Sequence, residues 1–101
     1  MAKSISDPTP SSLDWAKAVL GEELGRTVKT YADHRDLLKN SDVDAILIAS
    51  PNYTHAGILE SVWGSSRHVL CEKPLTTTLE DGHRVVEKAM AHKGVFWVAM
   101  E

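Results

Sequence analysis

The sequence predicts an α/β fold, a doubly wound and mostly parallel sheet, and three observations carry that prediction. Short apolar or β-branched runs alternate along the chain with segments whose apolar residues recur at helical spacing. One run, Asp44-Ala45-Ile46-Leu47-Ile48-Ala49, is apolar on both faces, the pattern of a strand enclosed between two helix layers. Prolines and polar side chains gather in the turns that leave strands, whereas the turns that enter them hold glycines and ordinary charged residues.

Taken in order, Ser4-Ile5-Ser6 reads as the last residues of a strand, which Asp7-Pro8-Thr9-Pro10 then breaks. Thr9 is placed to cap a helix that opens on Pro10, a position where the missing N–H would have had no helical partner. Leu13, Ala16, Val19, Leu20 and Leu24 recur at helical spacing before Gly25, which is expected as the residue just past the helix end. Residues 27–31 form a short β-branched run, and Asp33, with Asp36 behind it, caps a brief helix carrying Leu37 and Leu38. The apolar strand at 44–49 ends at Ser50-Pro51-Asn52. A helix is expected over about 54–63, presenting Ile58, Leu59 and Val62, with Gly64 closing it. His68-Val69-Leu70-Cys71 is the next strand. Beyond Glu72-Lys73-Pro74-Leu75, Thr78 and Asp81 resemble a capping box in which Asp reaches back less far than the usual Glu or Gln. Val85, Val86, Ala89 and Met90 supply that helix's apolar stripe until Gly94, and residues 95–99 read as a final strand within an apolar run that reaches Met100.

Composition narrows the function. The chain has 101 residues, with 11 Lys+Arg against 14 Asp+Glu and a formal charge of −3, enough length for one domain. At 43% hydrophobic and 25% charged it has a globular composition, which argues against disorder, collagen-like repeats and coiled coil. Without a Lys/Arg cluster it offers no electrostatic footprint for nucleic acid or an anionic membrane, and neither is expected as a partner. Its apolar runs fall far short of the ~20 residues a membrane helix needs. The lone cysteine, Cys71, has no internal disulfide partner, and no apolar run of signal-peptide length opens the chain, so a reducing cytoplasm is the expected setting. Asn52-Tyr53-Thr54 matches the glycosylation pattern but is read as a loop.

In a doubly wound sheet, right-handed crossovers bring the strand-to-helix turns to the carboxyl edge, where ligands bind. The turns beginning at Asp7, Ser50 and Glu72 leave their strands in that direction, so function is expected at Asp7, Asn52, His55, Glu72 and Lys73. No metal site is expected. His68 and Cys71 stand three apart on a strand and face opposite sides, and His83 with Glu87 supplies only two ligands. Ser50 with His55 lacks the glycine elbow of a hydrolase, and Trp15, Trp63 and Trp97 are read as packing residues.

The stretch Asp42-Val43-Asp44-Ala45-Ile46-Leu47-Ile48-Ala49-Ser50-Pro51-Asn52-Tyr53-Thr54-His55, followed by His68-Val69-Leu70-Cys71-Glu72-Lys73-Pro74-Leu75, resembles the glucose-fructose oxidoreductase / inositol dehydrogenase family (Gfo/Idh/MocA). A Pro-Asn-x-x-His turn and a later Glu-Lys-Pro, in that order, carry the likeness, which extends weakly from Asp7 to Met100. The resemblance implies a Rossmann domain binding NAD or NADP, joined to a larger α/β domain for a sugar or polyol whose CH–OH or carbonyl group reacts. By that analogy Asp7 bonds the adenosine ribose, which suits NAD because a carboxylate repels a 2′-phosphate. Ser50, Pro51, Asn52 and His55 line the cofactor cleft. Glu72 and Lys73 reach the nicotinamide ribose and substrate, and Pro74, counted with the cofactor-binding residues, fixes the lysine's backbone through a cis bond that the family implies. Lys73 is the expected catalytic residue: hydride loss from a carbinol must be accompanied by loss of its hydroxyl proton, which a partly desolvated lysine amine can take.

The sequence also departs from the family pattern. It shows no first strand and no Gly-x-Gly-x-x-Gly turn, and no substrate domain follows, so residues 1–101 are expected to be a partial nucleotide-binding domain, marginally stable and inactive alone, from a homo-oligomeric enzyme. In the strand order 3-2-1-4-5-6 the missing strand is central, so its neighbours on either side are expected to separate. The competing expectation is a non-catalytic remnant that acts as a protein-interaction or small-ligand module.

Overall fold

The computed structural model describes residues 2–99, so Met100, where the last apolar run and the family resemblance end, lies outside the described residues. The chain divides into two compact units, Met1–Val43 and Asp44–Glu101. In the first, strand β1 (Ser4–Ser6) pairs in parallel with β2 (Lys29–Tyr31), connected by helix α1 (Pro10–Thr27) and followed by α2 (His34–Asn40). Thr9 and Pro10 take the expected cap and first-turn positions, but Thr9 makes no side-chain cap bond. Asp7 instead closes the turn ahead of the helix: its Oδ1 accepts from the Thr9 N–H at 2.8 Å.

The expected helix end at Gly25 is corrected by the structure. α1 runs on to Thr27 after a kink at Gly21, whose φ of 92° is readily adopted only by glycine. Gly25 is instead buried against the preceding segment, where a Cβ would lie 2.5 Å from the Lys17 carbonyl oxygen. α2 is capped as expected, Asp33 accepting from the Arg35 N–H at 2.9 Å.

In the second unit three strands, β3 (Ala45–Ile48), β4 (His68–Cys71) and β5 (Phe96–Val98), form a parallel sheet in that order. A 3-10 turn (Asn52–Thr54) runs into α3 (His55–Val62), and α4 (Leu79–Ala91) opens at Thr78, whose hydroxyl accepts from the Asp81 N–H at 3.1 Å. The sheets β1–β2 and β3–β4–β5 are separate hydrogen-bonded sets, as the strand-order argument anticipates. Ile48, Val69 and Cys71 turn inward and are buried with Leu59, Val62 and Val85 to form the core of this unit.

The opposite face of that sheet departs from the expectation of two covering layers. Leu47, Leu70 and Trp97 are neighbours in register there and stand 63%, 39% and 66% exposed. Trp97, and Trp15 on α1, were expected to pack and instead lie open. The physical reason is that strand alternation assigns residues to two faces but does not say which face is covered. Trp63 does pack, edge-on against His92 at 5.3 Å and Phe96 at 5.5 Å. Among the described residues no helix is long and apolar enough to cross a membrane.

Candidate functional site

Ile48 and Cys71, the last residues of β3 and β4, are partners in register, so the turns that follow leave from the same edge of the sheet. The Glu72 N–H donates to the Ile48 carbonyl at 2.9 Å and carries the pairing one residue into the second turn. In the first turn Ser50 is half-buried, while Pro51 and Asn52 are exposed. The Thr54 hydroxyl lies 2.6 Å from both the Ser50 hydroxyl and the Pro51 carbonyl oxygen, and the Thr54 N–H donates to that carbonyl at 2.9 Å. Sequence reasoning missed Thr54. The available signal was a hydroxyl residue three positions after a proline, where it bonds the preceding carbonyl.

In the second turn Glu72, Lys73 and Pro74 are all exposed, and the Lys73–Pro74 peptide is cis, the isomer the family likeness implies. Neither Glu72 nor Lys73 forms an ion pair among the described residues. The turn closes where the Thr76 hydroxyl donates to the Thr78 carbonyl at 3.0 Å, just before α4 begins.

His55 joins the two turns. Its Nδ1 lies 2.8 Å from the Pro74 carbonyl oxygen and its Nε2 3.0 Å from the Ser50 carbonyl oxygen, and the residue is 0% exposed. The ring was expected at the wall of a cofactor cleft; it is found wholly buried, with both nitrogens directed at main-chain oxygens. Each carbonyl is held only by a nitrogen that carries a proton, so a neutral ring bonds one of the two.

The remaining candidates are placed as follows. Asp7 stands at the carboxyl end of β1 in the first unit, half-buried, with Oδ1 held by Thr9. Cys71 is fully buried, and burial, reinforced by the negative charge of Glu72, pushes its thiol up to about 11, so it stays protonated and unreactive. The concavity of the second unit, about 350 Å³, opens on the bare sheet face between Leu47, Leu70 and Trp97 and is lined by none of the turn residues. Among the described residues no group of three or more His, Cys, Asp or Glu gathers as a metal site.

Parallel strands joined by helices, with polar turns aligned at one carboxyl edge, define a domain of the nucleotide-binding α/β class. The chain belongs to the Gfo/Idh/MocA oxidoreductase family: the model of that family, an oxidoreductase family with an NAD-binding Rossmann fold, matches residues 7–100. It is 35% identical over 85 residues to a myo-inositol 2-dehydrogenase of Thermotoga maritima, covering 84% of this chain and 24% of that protein. It is 42% identical over 88 residues to an inositol 2-dehydrogenase/D-chiro-inositol 3-dehydrogenase of Shouchella clausii, covering 87% and 25%. Among solved structures, the scyllo-inositol dehydrogenase of Lactobacillus casei with bound NAD(H) and scyllo-inositol superposes with a TM-score of 0.82 at 28% identity, over 96% of this chain and 27% of that one. The chain thus spans about a quarter of the length of these relatives.

Proposed function

We propose that the chain forms part of the dinucleotide-binding domain of an NAD-dependent oxidoreductase that interconverts a CH–OH group and a carbonyl on an inositol-like cyclic polyol. The observation that carries this reading is the pair of turns at the carboxyl ends of β3 and β4, joined through His55, with Asn52, Glu72 and Lys73 exposed beside them. The donor set suits the cofactor. Asp7 uses one carboxylate oxygen on Thr9, and the other remains to accept from ribose hydroxyls. Its charge favours NAD over NADP by repelling a 2′-phosphate. Asn52 offers its exposed side-chain amide to the dinucleotide, with Ser50 and Pro51 shaping the turn that presents it, and Glu72 and Lys73 take the nicotinamide side from the turn that Pro74 shapes.

When bound, NAD supplies the hydride acceptor. Lys73 Nζ takes the hydroxyl proton that the carbinol gives up as its carbonyl forms. The likeness to inositol dehydrogenases supports a polyol substrate. The single thiol, Cys71, supports a reducing cytoplasm as the setting.

Titration of the 15N-labelled chain with NAD, NADH and NADP tests the reading. The expected result is movement of the Asp7, Asn52, Glu72 and Lys73 amides, with NAD and NADH binding more tightly than NADP. Shifts confined to the open sheet face around Leu70 and Trp97, or no binding even when the chain is joined to a strand and glycine-rich turn that complete the domain, overturn it, and a preference for NADP overturns the role given to Asp7.

A further inference from the structure

We infer that His55 is a positioning residue: by donating from Nδ1 it holds the Lys73–Pro74 turn against the Ser50–Asn52 turn, and so sets where Glu72 and Lys73 are presented. In its functional part the inference rests on the reading of those turns as the cofactor site.

The ring is 0% exposed and both of its nitrogens stand within hydrogen-bonding distance of main-chain carbonyls, at 2.8 and 3.0 Å, so no polar atom of the side chain remains for a ligand. Both partners are oxygens that only accept. A neutral imidazole donates once and an imidazolium twice, so whichever form is present, each carbonyl is held only if the nitrogen facing it carries a proton. The two contacts differ in what they accomplish. Ser50 is five residues away, and its turn is already closed by the Thr54 hydroxyl and amide. Pro74 is 19 residues away, and no main-chain N–H among the described residues bonds its carbonyl. The contact at Nδ1 is therefore the one that ties the second turn to the first, and its loss leaves the Pro74 carbonyl without that partner.

The test compares the wild-type chain with His55→Leu, which keeps an apolar side chain of similar bulk but no donor, and His55→Asn, whose amide nitrogen sits at about the reach of Nδ1. In the wild type, imidazole 15N shifts are expected to show a protonated Nδ1. In His55→Leu the Glu72, Lys73 and Leu75 amides are expected to move while those around Val85 stay, and NADH affinity to fall about tenfold, the loss of one good hydrogen bond. In His55→Asn the turn shifts and most of the affinity are expected to return, a rescue that mere filling of the core would not give. An unprotonated Nδ1 in the wild type, unmoved turn amides in His55→Leu, or no rescue by His55→Asn each overturns the inference. Should the wild-type chain bind no dinucleotide, ring protonation and the turn shifts alone decide the positioning role, and the cofactor reading is judged separately on the chain completed with a glycine-rich turn. Should His55→Leu fail to fold, the wild-type ring spectrum and the His55→Asn shifts decide it.

Discussion

Gly94→Ala is expected to destabilise the second unit by about 2–4 kcal/mol, for a reason that can be worked atom by atom. The turn from α4 to β5 passes so close to the start of β4 that a Cβ on Gly94 would stand 2.3 Å from the Arg67 carbonyl oxygen, 2.8 Å from its carbon and 2.9 Å from the Ser66 carbonyl oxygen. All three are main-chain atoms, so no rotamer change relieves them. The strands must part by about 1 Å to regain an ordinary contact. That movement falls on the bonds that begin the β4–β5 pairing, Val69 N–H to Val95 carbonyl at 2.8 Å and Val95 N–H to His68 Nδ1 at 3.0 Å. Overpacking of this kind costs about 1–3 kcal/mol, and one weakened hydrogen bond adds about 1 kcal/mol. Against the 5–15 kcal/mol typical of whole domains the loss is large. Two other glycines supply controls. Gly57 lies in α3 with nothing within 4 Å, so alanine there should stabilise by about 1 kcal/mol. Gly64 has equal room but a φ of 95°, so alanine there should cost about 1–2 kcal/mol. Urea unfolding followed by tryptophan fluorescence, with amide exchange at Val69 and Ala99, measures all three. A Gly94→Ala chain within about 0.5 kcal/mol of wild type, or equal losses at the three sites, would show that crowding against Arg67 is not what requires this glycine.

Two further predictions concern titration. Burial raises the Cys71 thiol from 9.0 to about 11, so the folded state binds its proton more tightly than the unfolded chain. Its contribution to stability is fully present below about pH 9 and is lost as pH rises through about 11. Alkylation by iodoacetamide near neutral pH should accordingly proceed at the rate of unfolding, and a second-order rate like that of a free thiol would contradict the assignment. Asp33 is held well below the usual carboxylate range, first by its bond to the Arg35 guanidinium at 2.7 Å and then by the Arg35 amide. Its contribution is therefore present above the ordinary value of 3.8 and is lost as pH falls through the depressed one. A 13C titration of the Asp33 carboxyl should show a low midpoint that returns towards the ordinary value in Arg35→Gln and shrinks in high salt, as an exposed pair requires. A midpoint unchanged by either would remove Arg35 as the cause.

How much could be read in advance varied with the kind of signal. β4 begins and ends at His68 and Cys71 as expected, because turn residues bound a short apolar run on both sides. Thr78 and Asp33 were legible as caps because an oxygen side chain ahead of a helical stripe has a specific local partner. The end of α1 was not. Helical spacing continues through residues 20–27, and the kink depends on the φ of Gly21, which periodicity does not encode. The shift of α3 to His55 has a similar origin, since Asn52–Thr54 satisfies its backbone by a 3-10 turn that Thr54 locks with its own hydroxyl. The bare sheet face was invisible for a third reason: Leu47 and Ile48 are equally apolar in the sequence, and only the fold decides that one is 63% exposed and the other 3%.

The candidate site shows where reading polar residues at a sheet edge stops being informative. Asp7, His55 and Lys73 all sit in proline-bearing turns after strands, and composition treats them alike. What separates them is the hydrogen-bonding capacity each has left once the turn is satisfied. Lys73 and Glu72 are exposed and form no ion pair among the described residues, so their whole capacity is available to a ligand. Asp7 gives one oxygen to its own turn and keeps the other. His55 gives both nitrogens and is sealed from solvent, which leaves it holding the turns together. A polar residue at the carboxyl edge is thus a ligand contact only to the extent that its own backbone has not already claimed it. Counted that way, the second unit leaves Glu72 and Lys73 uncommitted while His55 is taken up by the turns that carry them, and in the first unit Asp7 keeps one oxygen.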